Sequence, residues 1–178
     1  YALVTEHLGH RPVVAVVYSH SHPDHFGGVR GVIDEADVAS GKVQLIAPIG
    51  FLEHAVSESV YAGNAMNRRL FYQYGSLLDR SPFGHVDQSI GKTVANGNVG
   101  LIAPNVIITD DIEERTVDGV RMVFHNTPGT EAPAEMNTWF PDLKAFWAAE
   151  NITGTIHNIY TPRGAPVRNA LNWSKQIN

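Results

Sequence analysis

"VVAVVYSHSHPDHFGG", residues 13–28, sets three histidines and an aspartate within six consecutive positions directly behind an apolar run. The Val-rich run at 13–18 reads as a strand buried on both faces. Residues two apart at a strand end point the same way, so His20 and His22 can converge on one cation. Pro23 then bends the chain, which lets Asp24 and His25 face the same space from the turn. Four ligands here are more than one tetrahedral ion needs if distant segments also contribute. Two metal ions a few ångströms apart fit better, because a pair can clamp both the attacking and the departing group. A helix cap would explain Asp24 alone, and an exposed position any single histidine. Neither explains all four residues together ahead of Gly27-Gly28.

Composition narrows the rest. The chain has 178 residues, 43% of them hydrophobic and 17% charged, which suits a single domain with a real core. A net charge of -5, with Lys and Arg scattered, excludes the basic face typical of nucleic-acid binders. No apolar stretch approaches the ~20 residues needed to span a bilayer. Cysteine is absent, so any metal must be held by histidine and carboxylates. The chain opens on "YALVTEHLGH", which reads as the last turns of a helix, and closes on a helical "NALNWSKQIN" without a stop signal. Both ends are therefore expected to be cut, making 1–178 a partial domain.

Along the chain, "GGVRGVIDEADVASG" (27–41) is expected to be a helix, "KVQLIAPIG" (42–50) a buried strand, and 51–75 one or two amphipathic helices. Residues 75–105 are rich in Gly, Ser and Asn and read as a long loop able to act as a lid. "ERTVDGVRMVFHN" (114–126) is a hairpin turning at Asp118-Gly119. "TPGTEAPAE" (127–135) is a loop, "NTWF" and "KAFWAAEN" are strands joined at Pro141-Asp142, and a helix runs from about Gly164. This order predicts layered α/β architecture.

His20, His22, Asp24 and His25 match the HxHxDH signature and so resemble the metallo-β-lactamase superfamily, whose fold is an αββα sandwich. "FGGVRGV" and "TPGTEAPAEMNTWFPDLKAFWAAEN" narrow the resemblance to its zinc-dependent alkyl sulfatases, in which Thr130-Glu131 stands where the wider superfamily has a histidine. The resemblance implies a bacterial enzyme that uses two Zn2+ ions and an activated hydroxide to hydrolyse alkyl sulfate esters to alcohol and sulfate. It makes Glu131 the third ligand of the ion held by His20 and His22, and Glu150 the carboxylate bridging both ions. Asp24 and His25 hold the second ion with one more histidine, expected downstream of Asn178. It further implies a homodimer and a periplasmic or secreted location. By residue pattern alone, Glu131 sits in a loop able to project a ligand, whereas Glu135 and Glu150 could equally be solvated.

A sulfate ester needs cationic contacts at its head. "TIHNIYTPRGAPVRN" (155–169) offers His157, Arg163 and Arg168, and arginine's planar fork suits a tetrahedral oxyanion. The resemblance assigns this segment to the sulfate pocket, with His157 as proton donor or sulfate contact and Arg163 as clamp. Arg168 reads as a helix-surface charge. Asn64 is either a pocket residue or a helix-start residue. Tyr61, Met66, Leu70, Phe71 and Tyr72 form a stripe that reads as ordinary core, or as the wall of a tail-binding tunnel. His7, His10, His54, His85 and His125 are expected to be solvent-facing or structural. Two other readings stay open: a thioesterase or lactamase of the same fold, and a metal-binding module without catalysis.

Overall fold

A computed structural model describes residues 1–88, 91–92, 97–155 and 157–177. Two sheets face each other. One is parallel, ordered β1 (Ala15–Val17), β2 (Gln44–Pro48), β3 (Val106–Ile108). The other is an antiparallel meander of β4 (Ile112–Val117), β5 (Val120–Asn126), β6 (Met136–Phe140) and β7 (Ala145–Trp147). Alternation along β2 divides the core, because successive side chains of a strand leave on opposite faces. Leu45 and Ala47 join Tyr18, Phe26, Val38, Phe51 and Ile102 in the helical layer. Ile46 joins Val117, Met122, Phe124 and Met136 between the sheets. The helical layer contains α2 (Pro23–Phe26), α3 (Glu35–Ala39) and α4 (Phe51–Val56). This is mixed α/β architecture, two facing sheets with helices over the parallel one.

Several local expectations hold and several are corrected. The hairpin turns at Asp118 and Gly119, both with positive φ (49° and 78°), as a tight turn matching strand twist requires. Residues 13–18 were expected to form a strand buried on both faces. The observed β1 is only three residues long and half-buried, because it lies at the sheet edge while β2 takes the centre. Residues 27–41 are not one helix. α2 stops at Phe26, a single 3-10 turn spans Val29–Gly31, and α3 restarts at Glu35. Gly27 has an ordinary helical φ; its value lies in closeness, since a Cβ there would meet the Pro23 carbonyl at 2.5 Å. α6 spans Ala170–Ile177 and not from Gly164; Asn169 caps its start, its Oδ1 accepting from Asn172 N (2.9 Å).

The strand β3 has no counterpart in the sequence reading, because three apolar residues carry no period. The loop 75–105 has no helix or strand among its described residues, and 89–90 and 93–96 lie outside them, so the lid reading falls partly there. Its end is tied down. Asn105 Oδ1 accepts from Leu45 N (2.8 Å), and its Nδ2 donates to the carbonyls of Val38 (2.8 Å) and Val43 (3.0 Å). After α4 the helix widens into a π turn at Ser57–Tyr61 and continues as α5 (Gly63–Tyr74). In the expected apolar stripe of α5, Met66 is buried, but Tyr61, Phe71 and Tyr72 are exposed, so the stripe is not core.

Candidate metal centre

The site forms where the end of the β1 segment meets the loop between β5 and β6. His20 pairs with Glu135 as an isolated antiparallel bridge, while Met136 N donates to Ser19 O (2.9 Å) and Ser21 N to Ala134 O (3.2 Å). These bonds zip the histidine segment to "TPGTEAPAE". The loop is shaped from within: Thr130 Oγ1 donates to Thr127 O (2.6 Å), and Thr127 N to Glu135 O (2.8 Å). Glu131 is thereby buried beside the histidines. Its Oε2 lies 2.8 Å from His22 Nδ1 and 3.3 Å from His20 Nε2.

Glu150 arrives from the other side. It does not end a strand as expected; β7 stops at Trp147, and Glu150 sits on a turn in which Ala149 has φ 52° and Asn151 N donates to Ala148 O (2.9 Å). Its Oε2 lies 3.5 Å from His20 Nε2 and 2.9 Å from His25 Nε2, and its Oε1 lies 3.4 Å from His157 Nε2. One donor atom each from His20, His22, Glu131 and Glu150 falls within 4.8 Å of the others. His20 Nε2 is buried without a hydrogen-bond partner, facing two carboxylate oxygens, an expensive arrangement unless a cation sits between them. The nitrogen and oxygen donors therefore fit a divalent metal ion.

Electrostatics follows the same geometry. Burial lowers the His20 pKa, keeping its imidazole neutral as a ligand must be. Burial would raise the Glu131 and Glu150 carboxyls, but His22 beside the first, and His157, His20 and His25 around the second, hold both below the usual carboxylate range. Burial also works against charge on His25, yet Asp24 and Glu150 outweigh it and hold that imidazole at about 10. Asp24 touches His25 Nε2 at 3.4 Å, with 66% of its side chain exposed. Arg163 Nη2 donates to His22 Nε2 (3.1 Å). α5 secures its backbone: Gln73 Oε1 accepts from Arg163 N (3.2 Å), and Arg69 Nη1 donates to Arg163 O (3.4 Å). Gly164 is obligatory beside it, having φ 93° and Arg69 Nη1 only 2.5 Å from where a Cβ would lie.

Every residue proposed from sequence as a ligand or sulfate contact thus reaches this corner, Asp24 at its outer edge. Asn64 does not line it; it is the exposed second residue of α5. Three other readings are corrected. Arg168 is not a surface charge but is buried, because Glu131 and Asn158 draw its guanidinium inward. Glu135 is not solvated: it is fully buried, and burial, then neighbouring Glu131, push its carboxyl up to about 8. Glu58 went unnoticed; it is buried on the π turn, 3.6 Å from His22 Nε2, a position no local pattern announces. Asn151, next to Glu150, was also missed, and its Nδ2 donates to Thr127 Oγ1 (3.1 Å) and Asn137 Oδ1 (3.0 Å). Of the unassigned histidines, His85 is buried and His7 and His10 are exposed, while His54 and His125 are half-buried.

Against known families, the sequence pattern of the metallo-β-lactamase superfamily matches residues 2–141. The chain belongs to the metallo-β-lactamase superfamily. Within the superfamily it is 51% identical, over 98% of its length, to alkyl/aryl-sulfatase BDS1 of Saccharomyces cerevisiae. It is equally 51% identical, over 99% of its length, to a linear primary-alkylsulfatase of a Pseudomonas species. Relatives therefore come from a yeast as well as from bacteria. Among solved structures, the stereoselective inverting sec-alkylsulfatase Pisa1 from Pseudomonas superposes with a TM-score of 0.93 at 50% identity, covering 99% of this chain. The chain spans about a quarter of these relatives: 27% of the yeast protein, 26% of the Pseudomonas enzyme and 28% of Pisa1.

Proposed function

We propose that this chain carries the metal-binding part of a hydrolase that cleaves alkyl sulfate esters to alcohol and sulfate. The observation that carries the reading is Glu131. In a metallo-β-lactamase fold it fills the third donor position beside His20 and His22, in a chain 51% identical to alkylsulfatases. A thioesterase or lactamase is disfavoured on the same ground.

His20, His22 and Glu131 would hold one zinc ion, Asp24 and His25 a second, with Glu150 facing both. Such a pair neutralises charge on the ester and brings the pKa of water toward neutrality. The protein's own residues do the rest. The Glu150 turn, backed by Asn151, aims one carboxylate oxygen at His20 and His25 and the other at His157. Arg163 reaches the site's rim at His22, positioned to take an anionic sulfate on its planar fork. His157 offers Nε2 to the same space as proton donor or sulfate contact. A homodimer and a periplasmic or secreted location belong to the same reading, tested by light scattering and cell fractionation.

The deciding experiment pairs elemental analysis with sulfate release from dodecyl sulfate, using a thioester as control substrate. In the full-length protein, two zinc ions per chain and sulfate release are expected. Thioester turnover without sulfate release would overturn the reading, and metal without any turnover would support a non-catalytic module.

A further inference from the structure

Behind the donor group stands a guanidinium that the proposed chemistry does not use. Arg168 is buried, 8% exposed, and is fixed through its own backbone by a bond from its N–H to Ile159 O (2.8 Å). Its Nε donates to Glu131 O (2.6 Å), and Nη2 donates to Glu131 Oε1. Nη1 donates to Asn158 O (2.8 Å), to Asn158 Oδ1 (3.0 Å) and to His157 Nδ1 (3.0 Å). One side chain thus grips the main chain and carboxylate of one site residue and the ring of another. An arginine serving only as a counter-ion would need none of the main-chain and imidazole contacts.

We infer that Arg168 is the positioning residue of the metal centre, fixing which atoms Glu131 and His157 present to it. The inference rests on the metal-dependent hydrolase reading above. With Oε1 taken by Arg168, Glu131 is left with Oε2 toward His20 and His22, so it serves as a one-oxygen ligand of fixed direction. That Oε2 is buried between the two imidazoles, where a ligand atom belongs. With Nδ1 of His157 beside the guanidinium and Asn158 O, the ring turns Nε2 toward Glu150 Oε1 (3.4 Å) and Glu131 Oε1 (3.7 Å). The planar fork makes this coupling possible: a lysine ammonium cannot span Glu131 and His157 in one plane. Groups that orient a ligand commonly set metal affinity nearly as strongly as the ligand itself.

The test uses Arg168→Met and Arg168→Lys in the purified full-length protein. Zinc affinity is read by chelator competition, ligand geometry by the visible spectrum of the cobalt(II) form, and kcat and KM on dodecyl sulfate. Zinc affinity lower by about 10–100-fold is expected in both variants. An altered cobalt spectrum should accompany it, with kcat falling more than KM rises. Far-UV circular dichroism and a cooperative melt establish that each variant folds, and Arg168→Lys decides if Arg168→Met does not fold. A folded variant with wild-type zinc affinity and cobalt spectrum would overturn the assignment. So would failure of both variants to fold, which would make Arg168 a residue of the fold alone. Wild-type protein that binds no zinc and releases no sulfate would instead remove the hydrolase reading.

Discussion

The two halves of the proposed metal centre are built differently. His20, His22 and Glu131 are all buried, and they are held by segments far apart in sequence: the β1 end, the loop 127–135, the Glu150 turn and Arg168. Asp24 and His25 sit on α2, a helix of four residues, with 66% and 33% of their side chains exposed. The inner half is held from several elements at once, with Arg168 fixing the direction of the Glu131 carboxylate. The outer half depends on local backbone and on one long-range partner, Glu150 (2.9 Å from His25). Rigid positioning from several elements favours tight binding, whereas an exposed, locally held pair favours exchange with solvent.

The strongest way to break this contrast is to remove an inner ligand. His22→Ala or Glu131→Ala should abolish tight metal binding at the inner position and reduce sulfate release by more than about 100-fold, beyond the loss usual for residues behind the ligands. Retained activity in either variant would contradict both the site and its function. A smaller change is expected from Asp24→Ala: metal content should fall by one ion per chain while the inner ion stays. If Asp24→Ala empties both positions, the halves are not independent, and elemental analysis would reveal it.

Burial of Glu135 beneath the inner half gives a pH signature. Its carboxyl is raised from the ordinary range to about 8, so the folded protein keeps a proton that the unfolded chain loses. That contribution is fully present below the ordinary carboxylate pKa and is lost as pH rises through about 8. Wild-type stability should therefore decline between those limits, by at most about 1.4 kcal/mol per pH unit for one proton. Glu135→Gln should flatten the slope in urea titrations run across the range. An unchanged slope would mean that Glu135 is ionised in the fold. The smallest effect should come from Gly119→Ala at the hairpin tip, where φ is 78°. A cost of about 1–2 kcal/mol is expected, with metal content untouched; any metal loss would tie the distant turn to the site.

Legibility in the sequence tracked how local the determinant is. The hairpin was readable because Asp118-Gly119 supplies the positive φ that its turn needs. The helix expected over 27–41 failed because periodicity says nothing of where a helix breaks: only a 3-10 turn and α3 form within that stretch. Of the glutamates, residue pattern left Glu135 and Glu150 open to solvation, and did not register Glu58. All carry the same side chain, and only their neighbours distinguish them.

The sequence by itself determined the donor chemistry: no cysteine, and His20, His22, Asp24 and His25 compressed into one turn behind a strand. Glu131 as the third donor came only through the resemblance that "TPGTE" carries. Tertiary structure alone decided that Arg168 lies inside, that Glu135 is sealed beneath the loop, and that Glu150 points inward from a turn. The reason is physical. Ligand type and turn chemistry are properties of adjacent residues, while the burial of a charge depends on which distant groups fold over it to satisfy it.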